Sequence, residues 1–491
     1  MTTAIHWFRR DLRLTDNTAL ARATVEADQV IGLFVLDPNL LDNKKMCEAR
    51  IAFLYQSLTE LAIKLEAAGS RLIVRRGNPL VELQKLLKQS GAEKLYYNRD
   101  YTTYARKRDQ QIEDGLKGFA ELEVISCKDL VIFEKDEILT GSGTPFKVYT
   151  PYKNRWLHQV TNEISGPSEM RKASLEIKEP ALKNLTSLTV PSLPKGYEKF
   201  FFMPAGEDAA ARHLEEWTGY KASKAKGEGA VGEYTDTRNL LGTVGTSRLS
   251  VFLRSGTISP RQCYREALEA QDRFHSPTKE KSCETWISEL IWRDFFYQVI
   301  WNFPEVAGES FQPKFRRLRW ERNEAHFKAW CEGRTGYPVV DAGMRQLNTI
   351  NWMHNRARMI AASFLVKDLR IDWRLGERYF WEKLVDYDQP SNNGNWQWIA
   401  STGIDAQPYF RIFNPTDQGK KYDPDGRYVR EWVPELAKVP NKYIHAPEEM
   451  PEKLQKELGI IIGKDYPAPL VKHSEAQTRT LDEYRRALRS G

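Results

Sequence analysis

The 491-residue sequence lacks the marks of several special classes of protein. No apolar run approaches the roughly 20 residues that a membrane-spanning helix needs. In the N-terminal MTTAIHWFRRDLRL the arginines follow the apolar residues, which is not the order of a signal peptide. The five cysteines form no Cys-x-x-Cys pair and the eight histidines no His-x-x-x-His spacing, so the sequence argues against a disulfide framework and against a metal site. We therefore expect a cytoplasmic protein that binds neither a metal nor a membrane.

The composition is that of a globular protein with more than one domain. Hydrophobic residues make up 41% and charged residues 28%, and 491 residues exceed what one compact core normally holds. The net charge of +7 and the pI of about 8.9 suit a polyanionic partner such as DNA. A basic enzyme without such a partner fits the charge equally well. The 14 tryptophans exceed ordinary usage, so some of them are expected to serve the function.

Short apolar runs alternate with helical patterns in the first 130 residues. This alternation predicts an α/β domain with an open, mostly parallel, Rossmann-like sheet, whose ligands bind beyond the carboxyl ends of its strands. The predicted strands are 4–8, 30–36, 71–74, 94–97 and 122–126, and the predicted helices are 48–68, 79–89 and 102–119. We interpret residues 1–130 as the first domain.

The rest of the chain divides into a linker and a helical region. Prolines and glycines interrupt residues 131–205, which is typical of a long interdomain linker. From 206 to 480 the helical period dominates, which predicts an all-α domain. Residues 227–232 match Gly-x-Gly-x-x-Gly, but the polar residues 221–226 before them cannot form the strand that a dinucleotide fingerprint needs. We therefore expect a loop at this match.

Hydroxyl side chains cluster just after Gly245. Thr246, Ser247 and Ser250 flank Arg248 and precede an apolar stretch. Such hydroxyls either cap a helix start or help that start to bind a phosphate group. Three hydroxyls and an arginine within five residues exceed what a cap needs, but the residues alone leave both interpretations open.

A helix predicted to run to about residue 302 carries a carboxylate among aromatic side chains. Trp286, Glu289, Trp292, Arg293 and Phe296 lie three or four residues apart and therefore share one face. A buried carboxylate is costly unless it is paired, and Arg293 offers one partner. In the alternative interpretation the face is a pocket wall, where Trp292 stacks on a flat ligand and Glu289 hydrogen-bonds the edge of that ligand.

A second long helix is predicted to repeat this arrangement. Trp352, Asn355 and Met359 place flat and polar groups on one helical face, with Arg356 and Arg358 beside them. An amide that faces the core would explain Asn355 equally well.

Along nearly its whole length the chain resembles the photolyase/cryptochrome family, and within it the microbial class I photolyases of cyclobutane pyrimidine dimers. The resemblance is carried by HWFRRDLRLTDNTAL at 6–20, GTSRLS at 245–250, WISELIWRDF at 286–295, TGYPVVDAGMRQL at 335–347, NWMHNRARMIAASFLVKDLRIDW at 351–373 and NNGNWQWIASTGIDAQPYFRIFNP at 392–415. It implies a light-driven DNA repair enzyme that splits these dimers in UV-damaged DNA by electron transfer from excited, reduced FAD. The alternative is a blue-light sensor of the cryptochrome type, which binds FAD without repairing DNA.

The resemblance implies a folded FAD in the helical domain, used as the fully reduced anion. The residues that match its phosphate-binding segment are Thr246, Ser247, Arg248, Leu249 and Ser250. The residues that match its other contacts are Tyr234, Trp286, the charged pair Arg358 and Asp386, Asp388 at the flavin edge, and Asn392 facing flavin N5. An amide can bond to the reduced ring without forcing a proton onto it, which suits an anionic electron donor.

Three tryptophans match the family's electron-transfer chain from the flavin to the surface, namely Trp396, Trp373 and Trp320. Electron hopping needs closely spaced, oxidisable π-systems, which indoles provide. The resemblance therefore also explains the polar, tryptophan-rich stretch NNGNWQW at 392–398. Trp396 would abut the flavin, while the neighbouring amides order the cofactor.

The resemblance also implies a pocket for a dimer that has left the DNA stack, because a dimer inside a duplex cannot reach a buried flavin. The residues that match this pocket are Glu289, Trp292, Asn355, Met359 and Trp398. Glu289 would hydrogen-bond the 5′ base and stabilise the radical anion. Arg293 and Arg356 would hold the phosphates on either side of the lesion.

The residues favour the repair enzyme over the sensor. Plant-type cryptochromes tend to lose the pocket glutamate and tryptophan, which are present here as Glu289 and Trp292, and many carry a long C-terminal tail, of which almost nothing remains beyond Arg486. Photolyases of the (6-4) lesion use two pocket histidines, whereas residues 352–359 offer His354 alone. We expect a monomeric enzyme without an obligate protein partner.

Family members often hold a second, light-harvesting chromophore in the N-terminal domain. Folate-binding relatives tend to carry an Asn-Glu pair before an Arg-x-Arg-Asp stretch, but here Tyr104 and Ala105 precede RKRD at 106–109. Arg50 and Asp100 resemble positions in relatives that bind 8-hydroxy-5-deazaflavin. The resemblance therefore favours a deazaflavin, with a folate, another flavin or an empty site as alternatives.

Overall fold

The computed structural model describes residues 1–42, 46–160, 172–177, 180–193, 196–197, 203–219 and 231–489. The chain forms two compact units that alternate along the sequence. The first comprises Met1–Ala225, Ala230–Gly232 and Ser247–Asn302, and the second comprises Lys226–Gly229, Glu233–Thr246 and Phe303–Gly491. The domain boundaries expected at 130, 205 and 480 stay a prediction. The loop predicted at 227–232 lies mostly outside the described residues.

A five-stranded parallel sheet forms the centre of the first unit. Its strands are β1 (Thr3–Phe8), β2 (Gln29–Leu36), β3 (Leu72–Arg76), β4 (Lys94–Asn98) and β5 (Glu123–Cys127). Their order is β3-β2-β1-β4-β5, with His6 of β1 paired to Gly32 of β2 and to Tyr96 of β4. The predicted open parallel sheet is confirmed.

Helices cover both faces of this sheet, because successive strand residues point to opposite sides. Ala4 and Phe8 join an apolar cluster with α1 and α3, whereas Ile5 and Trp7 join another with α4 and α5. The helices of the first unit are α1 (Thr18–Glu26), α2 (Pro38–Leu41), α3 (Glu48–Ala67), α4 (Pro79–Ser90), α5 (Thr103–Leu116), α6 (Tyr149–Gln159), α7 (Pro180–Lys183), α8 (Glu207–Thr218), α10 (Ser250–Ser255), α11 (Pro260–Phe274) and α12 (Pro277–Asn302).

The second unit consists of helices in its described part, which confirms the predicted all-α fold. They are α9 (Tyr234–Thr237), α13 (Glu324–Cys331), α14 (Pro338–Ile350), α15 (Asn355–Ser363), α16 (Trp373–Lys383), α17 (Gln389–Ile399), α18 (Pro415–Tyr422), α19 (Arg427–Trp432), α20 (Glu452–Leu458) and α21 (His473–Arg489). A π-helical turn, Phe364–Asp368, follows α15. One apolar core joins α14 to α17. None of the helices in the described part of the chain combines the length and the hydropathy that crossing a membrane requires.

All five cysteines are buried, and none of them forms a disulfide. Burial raises the pKa of the Cys263 and Cys331 thiols to about 12 and that of Cys283 to about 11, and it also raises the pKa of Cys127. Cys47 is buried at the start of α3. The four thiols with a raised pKa are therefore protonated at neutral pH.

Candidate functional site

A cavity opens among helices α15, α16 and α17 of the second unit. It holds about 560 Å³ of empty space, part of which is continuous with solvent. Seven of the predicted site residues line it, namely Asn355, Arg358, Met359, Asp386, Asp388, Asn392 and Trp396. The structure thus brings together residues that lie more than 40 positions apart in the sequence.

A buried ion pair forms one part of the cavity lining. Nη2 of Arg358 donates to Oδ2 of Asp386 at 2.8 Å, and Nε of Arg358 donates to the carbonyl oxygen of Met353 at 2.8 Å. The Asp386 side chain is only 2% exposed, so the pair is shielded from solvent on the carboxylate side. The charged pair predicted for these two residues is present.

The first turn of α17 supplies a carboxylate and an amide. Asp388 precedes the helix, and its Oδ2 accepts a hydrogen bond from the Ser391 hydroxyl at 3.1 Å. Nδ2 of Asn392 donates to the carbonyl oxygen of Glu377 at 3.2 Å, which fixes the orientation of the amide. The other amide atom, Oδ1, has no hydrogen-bond partner among the described residues and remains available to a ligand.

Glu377 lies on α16 behind this amide. Nδ2 of Asn393 approaches its Oε1 at 3.4 Å. Burial raises the pKa of the Glu377 carboxyl to about 7, against smaller opposing contributions from Asn393 and Asn392. At neutral pH the Glu377 carboxyl is therefore only partly ionised.

The Trp396 indole is held tightly against α16. It is 2% exposed, and a Cβ atom placed on Gly376 would lie only 2.2 Å from its Cη2. Phe380 meets the indole edge-to-face at 5.0 Å between ring centroids, and Trp330 does so at 6.2 Å. The glycine therefore allows the indole to lie directly on the helix backbone.

The other predicted tryptophans belong to the same core region. Trp373 opens α16 and is buried in the core cluster that contains Trp396, and the partly buried Trp320 packs against that cluster. Trp398 also packs against the cluster, but it does not line the cavity.

The helical face predicted from Trp352 to Met359 forms only in part. Asn351 ends α14 in the left-handed conformation, with φ = 56°, and His354 caps α15, which begins at Asn355. Trp352 therefore lies in the turn between two helices, and the prediction of a shared helical face is wrong for this residue. Asn355 and Met359 do lie one turn apart on α15, with Nδ2 and Sδ separated by 4.0 Å.

Arg356 lies in a basic part of the second unit. Its guanidinium donates to Oδ1 of Asn239 at 2.7 Å and lies 4.4 Å from the centroid of the Tyr422 ring. Burial lowers its pKa, and the positive charges of Arg238 and Arg411 lower it further. This surplus of positive charge suits an anionic partner.

The hydroxyl-rich stretch after Gly245 does not cap a helix. Helix α10 begins at Ser250, its N-cap position is Leu249, and no side chain caps it. The interpretation as a plain helix cap is therefore wrong. Arg248 has φ = 51°, a conformation that costs energy in residues other than glycine and that often accompanies functional loops.

Contacts to other elements hold this loop in place within the first unit. The indole N–H of Trp286 donates to the Ser247 hydroxyl at 3.3 Å, and the His213 ring bonds to the Ser247 carbonyl oxygen at 2.6 Å. In the second unit, Tyr234 opens α9 and is buried, with the Arg238 guanidinium 5.1 Å from its ring centroid. Thr246 also belongs to the second unit.

Helix α12 places Glu289, Trp292 and Arg293 in the first unit, but it does not pair the two charged side chains. Nη1 of Arg293 donates to the carbonyl oxygen of Leu130 at 2.5 Å, and the guanidinium lies 4.8 Å from the Tyr297 ring centroid. It forms no ion pair with Glu289 among the described residues. The interpretation of Arg293 as the partner of Glu289 is therefore wrong.

Asp100 lies where the strand order of the sheet reverses, at the carboxyl ends of β1 and β4, which is the usual ligand site of such sheets. Its Oδ1 lies 3.6 Å from Nη1 of Arg10. Burial would raise its pKa, but Arg10, Arg108 and Arg9 together lower it. Arg50 is buried on α3.

Several cavity residues were missed by the sequence analysis. Tyr387, Ser391 and Asn395 line the cavity beside the predicted residues. Asn395 could have been found, because it belongs to the amide-rich stretch that prompted the prediction. Nothing in the local sequence marks Glu377, since its contacts join α16 to α17.

Two family models match the chain. The model described as DNA photolyase matches residues 4–170, and the FAD binding domain of DNA photolyase matches residues 286–486. The deoxyribodipyrimidine photo-lyase of Escherichia coli is 39% identical over 99% of both chains.

Solved structures of the same family match the whole fold. A bacterial class III photolyase from Agrobacterium tumefaciens matches with a TM-score of 0.86 at 35% identity, covering 100% of this chain and 98% of its own. A cryptochrome from Synechocystis matches with a TM-score of 0.86 at 29% identity, covering 98% of this chain and 99% of its own. An archaeal photolyase from Sulfolobus tokodaii with two FAD molecules matches with a TM-score of 0.77 at 32% identity, covering 99% of this chain and 100% of its own. The chain belongs to the DNA photolyase family.

Proposed function

We propose that this protein splits cyclobutane pyrimidine dimers in UV-damaged DNA under blue light. The observation that carries the proposal is the cavity of the second unit, which is lined by an ion pair, an amide and an indole from Arg358, Asp386, Asn392 and Trp396. This combination of groups fits a flat, partly charged cofactor, and the family model over residues 286–486 is that of an FAD-binding domain. Reduced FAD, when bound, supplies the excited electron that opens the dimer.

The chain's own residues orient the cofactor and control its charge. Arg358, held by Asp386, presents a positive charge to the cavity, which favours an anionic ring. Asn392 offers its free Oδ1, while its Nδ2 is tied to Glu377. Asp388 closes the edge of the site, and Tyr234, Trp286 and the segment from Thr246 to Ser250 hold the rest of the cofactor.

The lesion is recognised by aromatic faces and by two polar groups. Trp292 and Trp398 flank the flipped dimer, Glu289 hydrogen-bonds its 5′ base, and Asn355 and Met359 complete the pocket. Glu289 stabilises the charge that develops on the dimer, and such preorganised groups act strongly where water is excluded.

Basic side chains hold the DNA backbone around the lesion. Arg293 and Arg356 bind phosphates, and the local excess of positive charge around Arg356 supports this role. The protein acts as a monomer in the cytoplasm, associated with DNA, and without an obligate protein partner.

If a bound FAD has lost one or both of its electrons, Trp396 would replace them one at a time, and a reductant in solution would supply them at the surface. Trp373 would then donate an electron to oxidised Trp396, and Trp320 would donate one to Trp373. The electron vacancy thereby moves to the surface. The burial of Trp396 and Trp373 in one core cluster, with the more exposed Trp320 packed against it, supports this order.

A second chromophore, 8-hydroxy-5-deazaflavin, occupies the first unit beside Asp100 and Arg50. The position of Asp100 at the strand-order reversal supports a ligand at this place. A folate, another flavin or an empty site is the alternative, and the absorption spectrum of the purified protein distinguishes them.

The test is repair of a defined lesion by the reduced, FAD-loaded protein. An oligonucleotide with one thymine dimer is incubated in the dark and under blue light, and restored thymines are counted by chromatography. We expect repair in the light only, and a Glu289→Ala variant should lose more repair yield than lesion affinity. Bound, reduced FAD with an intact dimer after illumination would favour the light-sensor alternative and overturn the proposal.

A further inference from the structure

The linker predicted between the two domains contains a helix that contacts the lesion-binding helix. The ring of Tyr149, the first residue of α6, lies parallel to the indole of Trp292 on α12, with 3.5 Å between ring centroids and 6° between ring planes. The Tyr149 hydroxyl donates to the carbonyl oxygen of Ser288 at 2.8 Å. Tyr149 is thus fixed at both ends of its side chain.

Trp292 is surrounded by further aromatic rings of its own helix. Phe296 lies at 5.5 Å with 29° between the planes, and Phe295 meets the indole edge-on at 5.7 Å. Phe295 also meets the Tyr149 ring edge-on at 5.9 Å. Tyr149 therefore covers one face of the Trp292 indole. A ligand can stack only on the part of the indole that these rings leave exposed.

A second side chain of α6 binds the same turn of α12. Nζ of Lys153 donates to the Ser288 hydroxyl at 2.6 Å. Burial lowers the Lys153 pKa and Lys281 lowers it further, while Glu284 and Glu289 act in the opposite direction. Lys153 therefore interacts electrostatically with Glu289. Through Tyr149 and Lys153, α6 contacts the turn of α12 that carries Ser288, next to Glu289.

We infer that Tyr149 is a positioning residue for lesion recognition, which holds the Trp292 indole in its binding orientation before DNA arrives. This inference rests on the proposed function. Stacked aromatic rings gain stability beyond the area that they bury, and a side chain that is already immobile loses less freedom when a ligand binds. Undamaged DNA places no base in the pocket, so its binding should not depend on the stack.

The experiment measures the dissociation constants of the FAD-loaded protein in the dark for a duplex with one thymine dimer and for the same duplex without it. Tyr149→Leu removes the stack and should weaken dimer binding roughly 2- to 10-fold, the range that corresponds to one aromatic pair. Binding of the undamaged duplex should not change. Tyr149→Phe keeps the stack and loses only the bond to Ser288, so it should restore most of the selectivity.

A double-mutant cycle tests whether Tyr149 acts through Trp292. In a Trp292→Leu background, Tyr149→Leu should cause no further loss of dimer binding, because there is no indole left to position. Additive losses would overturn the inference, and so would tighter dimer binding by Tyr149→Leu, which would mean that Tyr149 blocks the site. Equal losses for both duplexes would indicate a merely structural role and would also overturn it.

Failure of the inference differs from failure of the proposed function. If the wild-type protein does not prefer the dimer-containing duplex, the proposed function is wrong. If the wild-type protein does prefer it and Tyr149→Leu retains the full preference, only the role of Tyr149 is wrong. Flavin content and the urea midpoint of each variant show whether it has folded.

Discussion

Replacement of Lys367 by methionine should change how the stability of the protein depends on pH. Lys367 lies in the π-helical turn and is completely buried. Its Nζ donates to the Ser401 hydroxyl at 3.0 Å and to the Tyr409 carbonyl oxygen at 3.4 Å, and it lies 4.0 Å from the centroid of the Tyr484 ring. No charged group among the described residues offsets the burial, which lowers its pKa from 10.5 to about 7.

The magnitude follows from the difference between the folded and unfolded pKa values. A shift from 10.5 to about 7 corresponds to roughly 4–5 kcal/mol, at about 1.36 kcal/mol per pKa unit. The folded protein binds the proton of Lys367 less tightly than the unfolded chain does, so the full loss of folding stability is present below about pH 7. This loss declines as the pH rises from about 7 towards 10.5. The neighbouring Asp368 does not relieve it, since its carboxylate pairs with His473.

Urea unfolding of the FAD-loaded protein, followed by tryptophan fluorescence, provides the assay. Lys367→Met keeps most of the side-chain volume, although the Ser401 hydroxyl loses a partner at a cost of about 1–3 kcal/mol. We expect the wild type to gain about 4 kcal/mol of stability relative to the variant between about pH 6 and pH 10. The exposed Lys453→Met is the matched control and should show no such change. Parallel pH profiles of Lys367→Met and the wild type would refute the reasoning.

Three further substitutions test other features of the structure. Gly376→Ala would place a methyl group 2.2 Å from Cη2 of Trp396. We therefore expect the free energy of unfolding to fall by about 1–3 kcal/mol and the tryptophan emission to change. The control Gly118→Ala, where nothing lies within 4 Å of the added methyl group, should change neither. Asp129→Asn leaves the buried guanidinium of Arg13 without its carboxylate, 2.7 Å away in the wild type, and should lower the unfolding free energy of the first unit by about 3–5 kcal/mol, measured by urea unfolding. Glu377→Gln removes a carboxyl whose pKa burial raises from 4.5 to about 7. The wild type should therefore lose stability as the pH rises between these values and the carboxyl ionises. The thermal midpoint of the variant should depend less on pH over this range.

The sheet could be predicted from the sequence because its strands are buried on both faces and therefore read as continuous apolar runs. Helix α1 was missed, since it spans only nine residues. Its best local signal is Asn17, whose side chain accepts a hydrogen bond from the backbone N–H of Leu20. The division between α14 and α15 was also missed, because it depends on the left-handed Asn351 and on the His354 cap, which are ordinary residues in the sequence.

Site residues were predicted from motifs, but their neighbours were not. The resemblance identified Asn392 and Trp292, whereas Glu377, which accepts a hydrogen bond from Asn392, and Tyr149, which stacks on Trp292, lie on other elements of the chain. Side-chain direction was equally out of reach. Arg293 has the spacing of a partner for Glu289 and instead binds a carbonyl group 163 residues away in the sequence. Tertiary packing decides such contacts, and a local pattern does not record it.

The burial of all five cysteines makes the protein a favourable background for site-specific labelling. Maleimides and similar reagents attack thiolates, which are scarce in buried thiols of raised pKa. A cysteine introduced on the surface would therefore react selectively without removal of the native ones. A fluorophore or a spin label attached in this way could report on movements of α6 or α15 in solution, with the natural core left intact.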